Sequence, residues 1–457
     1  MEARFATERA GTVPLAWGQR AIWGAIRDVG PGSDHYYNVP RIVRLPRGWR
    51  ISPDAAVAAI GRLLARHDAL RSRLRQDGQA DPLQTVEARG AVAVEVAEAP
   101  PDGAGAAAET LRERLAGRRF SYSDDLPLRA GLVTGGGVVS HVVLVLCHLA
   151  ADAFAADVVV RDLRLLLRGG APPAPYQLMD LVAAQGGRAA RGSAAALGYW
   201  AGHYRAIPHT MFPEARGAPG RPRFQQAVIV SRAIDLATRT LARRHGVSTA
   251  TVLLTAVAAL VPAVSGHRTV AVTPLVNNRF APESRTLVTS LCQLGLFVLD
   301  IEATGAATFD ELLARTRHLA LQAYRYARYD QAEWYRMVDA VSGERGLPVF
   351  PGCCFNDQRA ADPLGRDAPA DPRQVVAARA ETRIRRPPGV ERLNCGFCVH
   401  LVDDEDGAPG VALTADTVTM PPGLVDRFLH AIEALVVGAA TEGTPLSALP
   451  ALIDGAP

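Results

Sequence analysis

The chain has 457 residues, of which 48% are apolar, 21% charged and 6% aromatic, the profile of an ordinary globular protein long enough for more than one core. Its formal net charge is +4, too small and too scattered to argue for nucleic acid or an anionic membrane surface. All 50 basic residues are arginine, so lysine chemistry, nucleophilic or Schiff-base, is excluded.

The opening MEARFATERAGTVPLAW carries acids and no apolar core of a secretory leader, and no apolar run approaches the roughly 20 residues that span a bilayer. Six sparse cysteines in strand-like text read as reduced thiols of a cytoplasmic protein. Cys395 and Cys398 form a C-x-x-C that Cys353–Cys354 could complete, but Asn394–Val399 reads as a strand rather than a knuckle, so no metal is expected.

Ala16–Ile26 has helical periodicity, and Tyr37–Leu45 alternates as a strand. Ser52 caps a helix with Pro53 at its first position, running to about Arg66. Leu70–Leu74 and Val92–Val96 read as strands and Gly103–Leu115 as a helix. Val138–Leu146, nearly all apolar, predicts a buried strand; a short loop follows, then a helix over Phe154–Leu167. Leu178–Tyr204 is helical in two pieces. Pro208–Pro222 is proline-rich and reads as a linker.

Beyond it the pattern restarts. Strands are expected at Ala227–Ile234, Val270–Leu275, Leu294–Ile301, Val349–Phe355, Cys395–Val402 and Val411–Val418. Helices are expected over Leu236–Ala263, broken at 246–248, over Thr308–Ala327 behind a capping box, and over Pro422–Val437. Asp357–Pro388 reads as a long polar loop. The expected organisation is an α/β chain of two halves, 1–205 and 226–457, joined by a linker at 206–225.

The window Val145-Leu146-Cys147-His148-Leu149-Ala150-Ala151-Asp152-Ala153 carries the chemistry. A buried strand delivers a histidine to its end, where a ring nitrogen can face a cleft and take a proton near neutrality. An aspartate four residues on can fix the loop. Alone, H-x-x-x-D fits two readings: a satisfied core histidine, or a catalytic base.

The window is similar to the H-H-x-x-x-D-G motif of the condensation-domain and chloramphenicol-acetyltransferase superfamily. Other segments resemble condensation-domain motifs in the same order: Pro14–Trp23, Arg66–Leu74, Phe120–Arg129, Val276–Arg279, Leu294–Val298 and Thr308–Val338. The resemblance spans about Pro14 to Val437. It implies two acetyltransferase-like lobes in a V around a tunnel, which phosphopantetheine arms of carrier proteins enter. It implies His148 as the catalytic residue, Asp152 paired structurally with Arg279, and Cys147, Ala153 and Asn356 lining the tunnel. Two motif positions depart: Cys147 replaces the first histidine and Ala153 the glycine. The match at Arg279 also lacks the preceding glycine.

The resemblance implies an enzyme joining a carrier-bound acyl or aminoacyl thioester to an amine or hydroxyl in natural-product biosynthesis. No resident cofactor or metal is expected; the partners are an acyl or peptidyl carrier protein and a small-molecule acceptor, without nucleic acid or membrane, the protein itself a monomer. Without adenylation or carrier signatures, a complete gene product starting at Met1 is expected to be free-standing and to act in trans. Two other readings fit the same motifs: a coenzyme-A-dependent small-molecule acyltransferase, and a non-catalytic docking module that recruits a tailoring enzyme.

Overall fold

The computed structural model describes residues 1–75, 82–187, 189–359, 370–404 and 408–455. The chain forms two compact units. The first comprises Met1–Arg191 together with Asn277–Gln293 and Asp330–Ala332; the second comprises Gly192–Val276, Leu294–Tyr329 and Glu333–Pro457. This partition differs from a division at 206–225, because the chain comes back to the first unit after leaving it. Those returns matter for the site.

The first unit holds β1 (Glu2–Ala6), β2 (Gly11–Pro14), β3 (Val39–Arg44), β4 (Ser72–Arg75), β5 (Leu83–Val86), β6 (Arg89–Glu98), β7 (Leu128–Gly135) and β8 (Val138–Leu146). Five of them form a sheet in the order β1-β6-β7-β8-β3, and β2-β5-β4 form a small second sheet. All pairs of the larger sheet are antiparallel except β6 with β7.

The sheet is buried on both faces, so β8 reads as a continuous apolar run rather than an alternating one. Val142, Leu144 and Leu146 join one core cluster with Ile60, Leu63, Val159 and Leu163 of α2 (Pro53–Arg66) and α4 (Ala153–Leu167). Val143 and Val145 face the other way, into a cluster with Ala108, Leu111 and Leu115 of α3 (Ala104–Ala116). The period of two puts alternate side chains into two different cores.

The segment Arg66–Arg71, which joins α2 to β4, is an ionic knot. Arg66 Nε donates to the buried carboxylate of Asp162 on α4 at 2.7 Å, with a ring nitrogen of His67 3.2 Å from the same carboxylate. Arg71 and Arg9 both donate to Asp68. The matched motif Arg66–Leu74 therefore locks α2 and α4 together. Burial lowers the His67 pKa against the pull of Asp162, so the ring tends to the neutral form.

The second unit is built on one sheet in the order β11-β10-β13-β15-β16-β9-β14, with β12 beside β10. Its strands are β9 (Phe224–Val230), β10 (Thr269–Val276), β11 (Gln293–Leu294), β12 (Phe297–Asp300), β13 (Cys353–Asp357), β14 (Arg383–Arg385), β15 (Phe397–Asp403) and β16 (Pro409–Asp416). Among its helices, Thr249–Ser265 is buried almost throughout and Pro422–Thr441 packs beside Arg232–His245. Among the described residues no single helix is long and apolar enough to cross a membrane; Arg232–His245 and Thr249–Ser265 pass on composition only as a pair bent by 103°.

Several expectations shift. Residues 233 and 234 belong to a helix, not to a strand, because Ser231 accepts from the Ile234 amide and caps Arg232–His245. The expected loop 357–388 contains a short helix, Pro372–Ala377, and β14, which pairs with β9; residues 360–369 lie outside the described residues. Strands β1, β2, β5 and β7 and the helix Gln331–Arg345 were not anticipated. Thr414 and Asp416 sit on β16, where Asp416 pairs with Arg223.

Candidate active site

β8 ends at Leu146, and Cys147 and His148 follow in a tight turn. Cys147 N–H donates to Pro127 O at 3.0 Å, and the Cys147 carbonyl accepts from Ala150 N at 2.9 Å and Ala151 N at 3.2 Å. Asp152 closes the turn as the N-cap of α4, accepting from Ala155 N at 2.8 Å. Sequence puts His148 and Asp152 four residues apart; the turn and the cap fix both against the same backbone.

The carboxylate has a second duty. Arg279 Nη2 donates to the Asp152 oxygen that caps the helix, at 2.8 Å, and both side chains are 2% exposed. The other oxygen accepts from Leu291 N at 2.9 Å and from the Cys292 thiol at 3.5 Å. Arg279 also donates to the carbonyls of Ser284, Leu287 and Thr289 at 2.8, 2.7 and 2.9 Å. One guanidinium thus gathers its own loop and ties it to α4. All of this lies in the first unit, because 277–293 is one of the returning segments.

Arg279 is preceded by Asn278 at φ 55°, in the left-handed region. Asparagine is one of few side chains that tolerates it, and Asn278 Nδ2 donates to Leu291 O at 3.1 Å. Asn278→Gly, which suits the left-handed backbone but loses the bond to Leu291 O, should cost about 1 kcal/mol of stability, and the β-branched Asn278→Val about 1–2 kcal/mol more, read as a lower denaturation midpoint. Equal midpoints for the two variants would contradict the turn's role.

The returning loop reaches the histidine through Ser290. Its hydroxyl donates to the His148 carbonyl oxygen, and its Oγ lies 3.2 Å from His148 Nδ1. A hydroxyl has one proton. With that proton on the carbonyl, the contact with Nδ1 requires the ring proton on Nδ1. Nε2 then holds the lone pair; the tautomer follows from this network. Burial lowers the His148 pKa, opposed by its own backbone carbonyl and by the Asp152 carboxylate. The ring therefore favours the neutral form at pH 7. Tyr37 stands edge-on to it, with centroids 6.3 Å apart.

Two residues outside the motif support the turn. Gln19 of α1 (Trp17–Val29) donates to Leu149 O at 3.0 Å and exchanges bonds with Gln84 of β5. Gly18, beside it, abuts the returning loop, where a Cβ would lie 2.5 Å from Ser290 O. Only glycine fits there without moving Ser290.

The remaining expected residues fall in different surroundings. Cys147 is 4% exposed and packs with Leu15, Leu74, Phe120 and Leu149. Burial pushes its thiol up to about 12, so it is no nucleophile at neutral pH. Ala153 is exposed at the first turn of α4, its carbonyl accepting from Arg41 at 3.0 Å. Asn356 is half-buried on β13 of the second unit, opposite His400 of β15.

The profile of the family described as Condensation domain matches residues 10–350. The chain belongs to the condensation-domain family. A probable non-canonical nonribosomal peptide synthetase, CymA, of Salinispora arenicola is 30% identical over 338 residues, which is 69% of this chain and 4% of that protein. The chain thus spans a small fraction of the length of such curated relatives. Among solved structures, the condensation domain of the Monacolin K polyketide synthase MokA aligns over 95% of this chain and 99% of that one, at TM-score 0.73 and 15% identity. The X-domain solved with OxyB from teicoplanin biosynthesis aligns over 97% of both chains, at TM-score 0.67 and 18% identity. At such identities the likeness is one of fold.

Within the condensation-domain fold, the departures in this chain become intelligible. Cys147 fills an apolar pocket, and Asn278 adopts the backbone conformation for which the family's glycine is suited. Ser290 and Gln19 were missed in the sequence. Gln19 stands inside a matched segment and was readable there. Ser290 carries no local signal, since its contact is made 142 residues away.

Proposed function

We propose that the chain catalyses condensation: it joins an acyl or aminoacyl group, carried as a thioester on a phosphopantetheine arm, to an amine or hydroxyl. The observation that carries this reading is the imidazole of His148, pinned through Nδ1 by Ser290 on a loop clamped by Asp152 and Arg279.

Chemically, Nε2 accepts the proton of the nucleophile as its nitrogen or oxygen bonds to the thioester carbonyl carbon. The tetrahedral intermediate then expels the thiolate. The imidazolium returns the proton to sulfur, so the carbon–sulfur bond breaks, an amide or ester forms and a thiol leaves. No covalent enzyme intermediate is needed, and Cys147, its thiol kept protonated, is not asked to supply one. Asp152 does not take part in proton transfer; its four contacts hold the turn.

The test supplies the chain with acyl groups on a carrier protein, on coenzyme A and on neither, with amine and alcohol acceptors, and follows the product by mass spectrometry. Product from the carrier-bound donor is expected. Product from the coenzyme A donor alone would make it a coenzyme-A acyltransferase. Carrier binding with no product from any donor would make it a docking module.

A further inference from the structure

The C-x-x-C does not lie within a strand. β15 begins at Phe397, so Cys395 sits in the bent segment before it and Cys398 on the strand's second position. In the parallel pairing of β13 with β15, Cys354 stands directly opposite Cys398. The sulfurs of Cys354, Cys395 and Cys398 all lie within 4.8 Å of one another. Cys353, one residue earlier, points to the opposite face and is fully buried in the core.

Three thiols from two chain segments therefore converge on one point, all within the second unit. Tetrahedral zinc with sulfur at about 2.3 Å holds its thiolates about 3.8 Å apart, a spacing within that 4.8 Å limit. Cys395 is oriented by the backbone: its Sγ lies 3.2 Å from Phe397 O and 3.6 Å from Gly352 O. Gly352, at φ 66°, makes the turn into β13. Cys354 is only half-buried, which leaves the cluster a path for an ion. His400 is on the same face of β15, two residues beyond Cys398, with Nδ1 3.2 Å from the Gln358 side chain.

We propose that Cys354, Cys395 and Cys398 bind a thiophilic divalent cation, zinc by class, with water in the fourth position. The ion displaces the three thiol protons to solvent and staples β13 to the segment entering β15, reinforcing the pairing of these two neighbouring strands at its end. The ion joins the two segments and takes no part in the chemistry at His148.

The probe is cobalt(II) added to the reduced, metal-free full chain. About one equivalent per chain should produce sulfur-to-cobalt charge-transfer absorption, which zinc should then bleach. Cys354→Ser, Cys395→Ser and Cys398→Ser should each weaken uptake at least tenfold, while Cys353→Ala should leave it unchanged. If a serine variant fails to fold, the wild-type spectrum still decides. Absence of the charge-transfer band in the reduced wild-type chain would overturn the proposal. So would uptake unaffected by all three serine variants, or recovery of Cys395 and Cys398 as a disulfide from reducing buffer.

Discussion

Asp152→Ala is expected to lower stability by about 3–5 kcal/mol, the usual cost of leaving one member of a buried ion pair without the other. Three losses combine: the Arg279 guanidinium keeps only carbonyl partners, α4 loses its cap, and Leu291 N–H loses its acceptor. The cap alone accounts for about 1 kcal/mol. Urea unfolding should show the midpoint falling with an unchanged slope. Asp152→Asn should fall between: one oxygen can still serve the cap and Arg279, but the amide then presents a donor to the Leu291 donor. Arg279→Ala should cost less than Asp152→Ala, because Asp152 keeps two backbone donors. Wild-type stability in Asp152→Ala would show that the clamp is dispensable.

His148→Ala is expected to reduce the condensation rate by about 10²–10⁴-fold, the range of a positioned general base, with the midpoint of unfolding little changed. The side chain is only partly buried, and the Ser290 hydroxyl keeps its bond to the residue 148 carbonyl. The wild-type rate should fall in acid as the ring protonates. Since burial lowers its pKa from 6.5, the acid limb should lie below that value. The stability sign is the same: the unfolded chain binds the proton more readily than the folded one, so both His148 and His67 cost stability as pH falls through 6.5. Full activity in His148→Ala would remove the base from the mechanism.

How much of this the sequence disclosed depends on distance along the chain. His148 and Asp152 were legible because a strand end, a turn and a helix cap are local events within a few residues. The partnership of Asp152 with Arg279, 127 residues apart, came only through the family resemblance. Ser290 left no trace, since a serine between Thr289 and Leu291 looks like any other and its value lies in where the returning segment puts it. The expected two-part division missed that return for the same reason: a short irregular segment has no periodicity to betray which core it joins. Around the cysteines only the strand boundary differs from the expectation. Asn394–Val399 looks extended, but the strand starts at Phe397, and the bend before it turns Cys395 toward Cys398 and Cys354.

The most direct test of the proton-accepting role is nitrogen NMR of the histidine-labelled chain, with His148→Ala to assign the ring. At pH 7 the ring of residue 148 should be neutral with its proton on Nδ1, and should titrate below the ordinary histidine range. A protonated ring at pH 7, or a neutral ring carrying its proton on Nε2, would contradict the mechanism, because Nε2 would then have no lone pair to receive the nucleophile's proton.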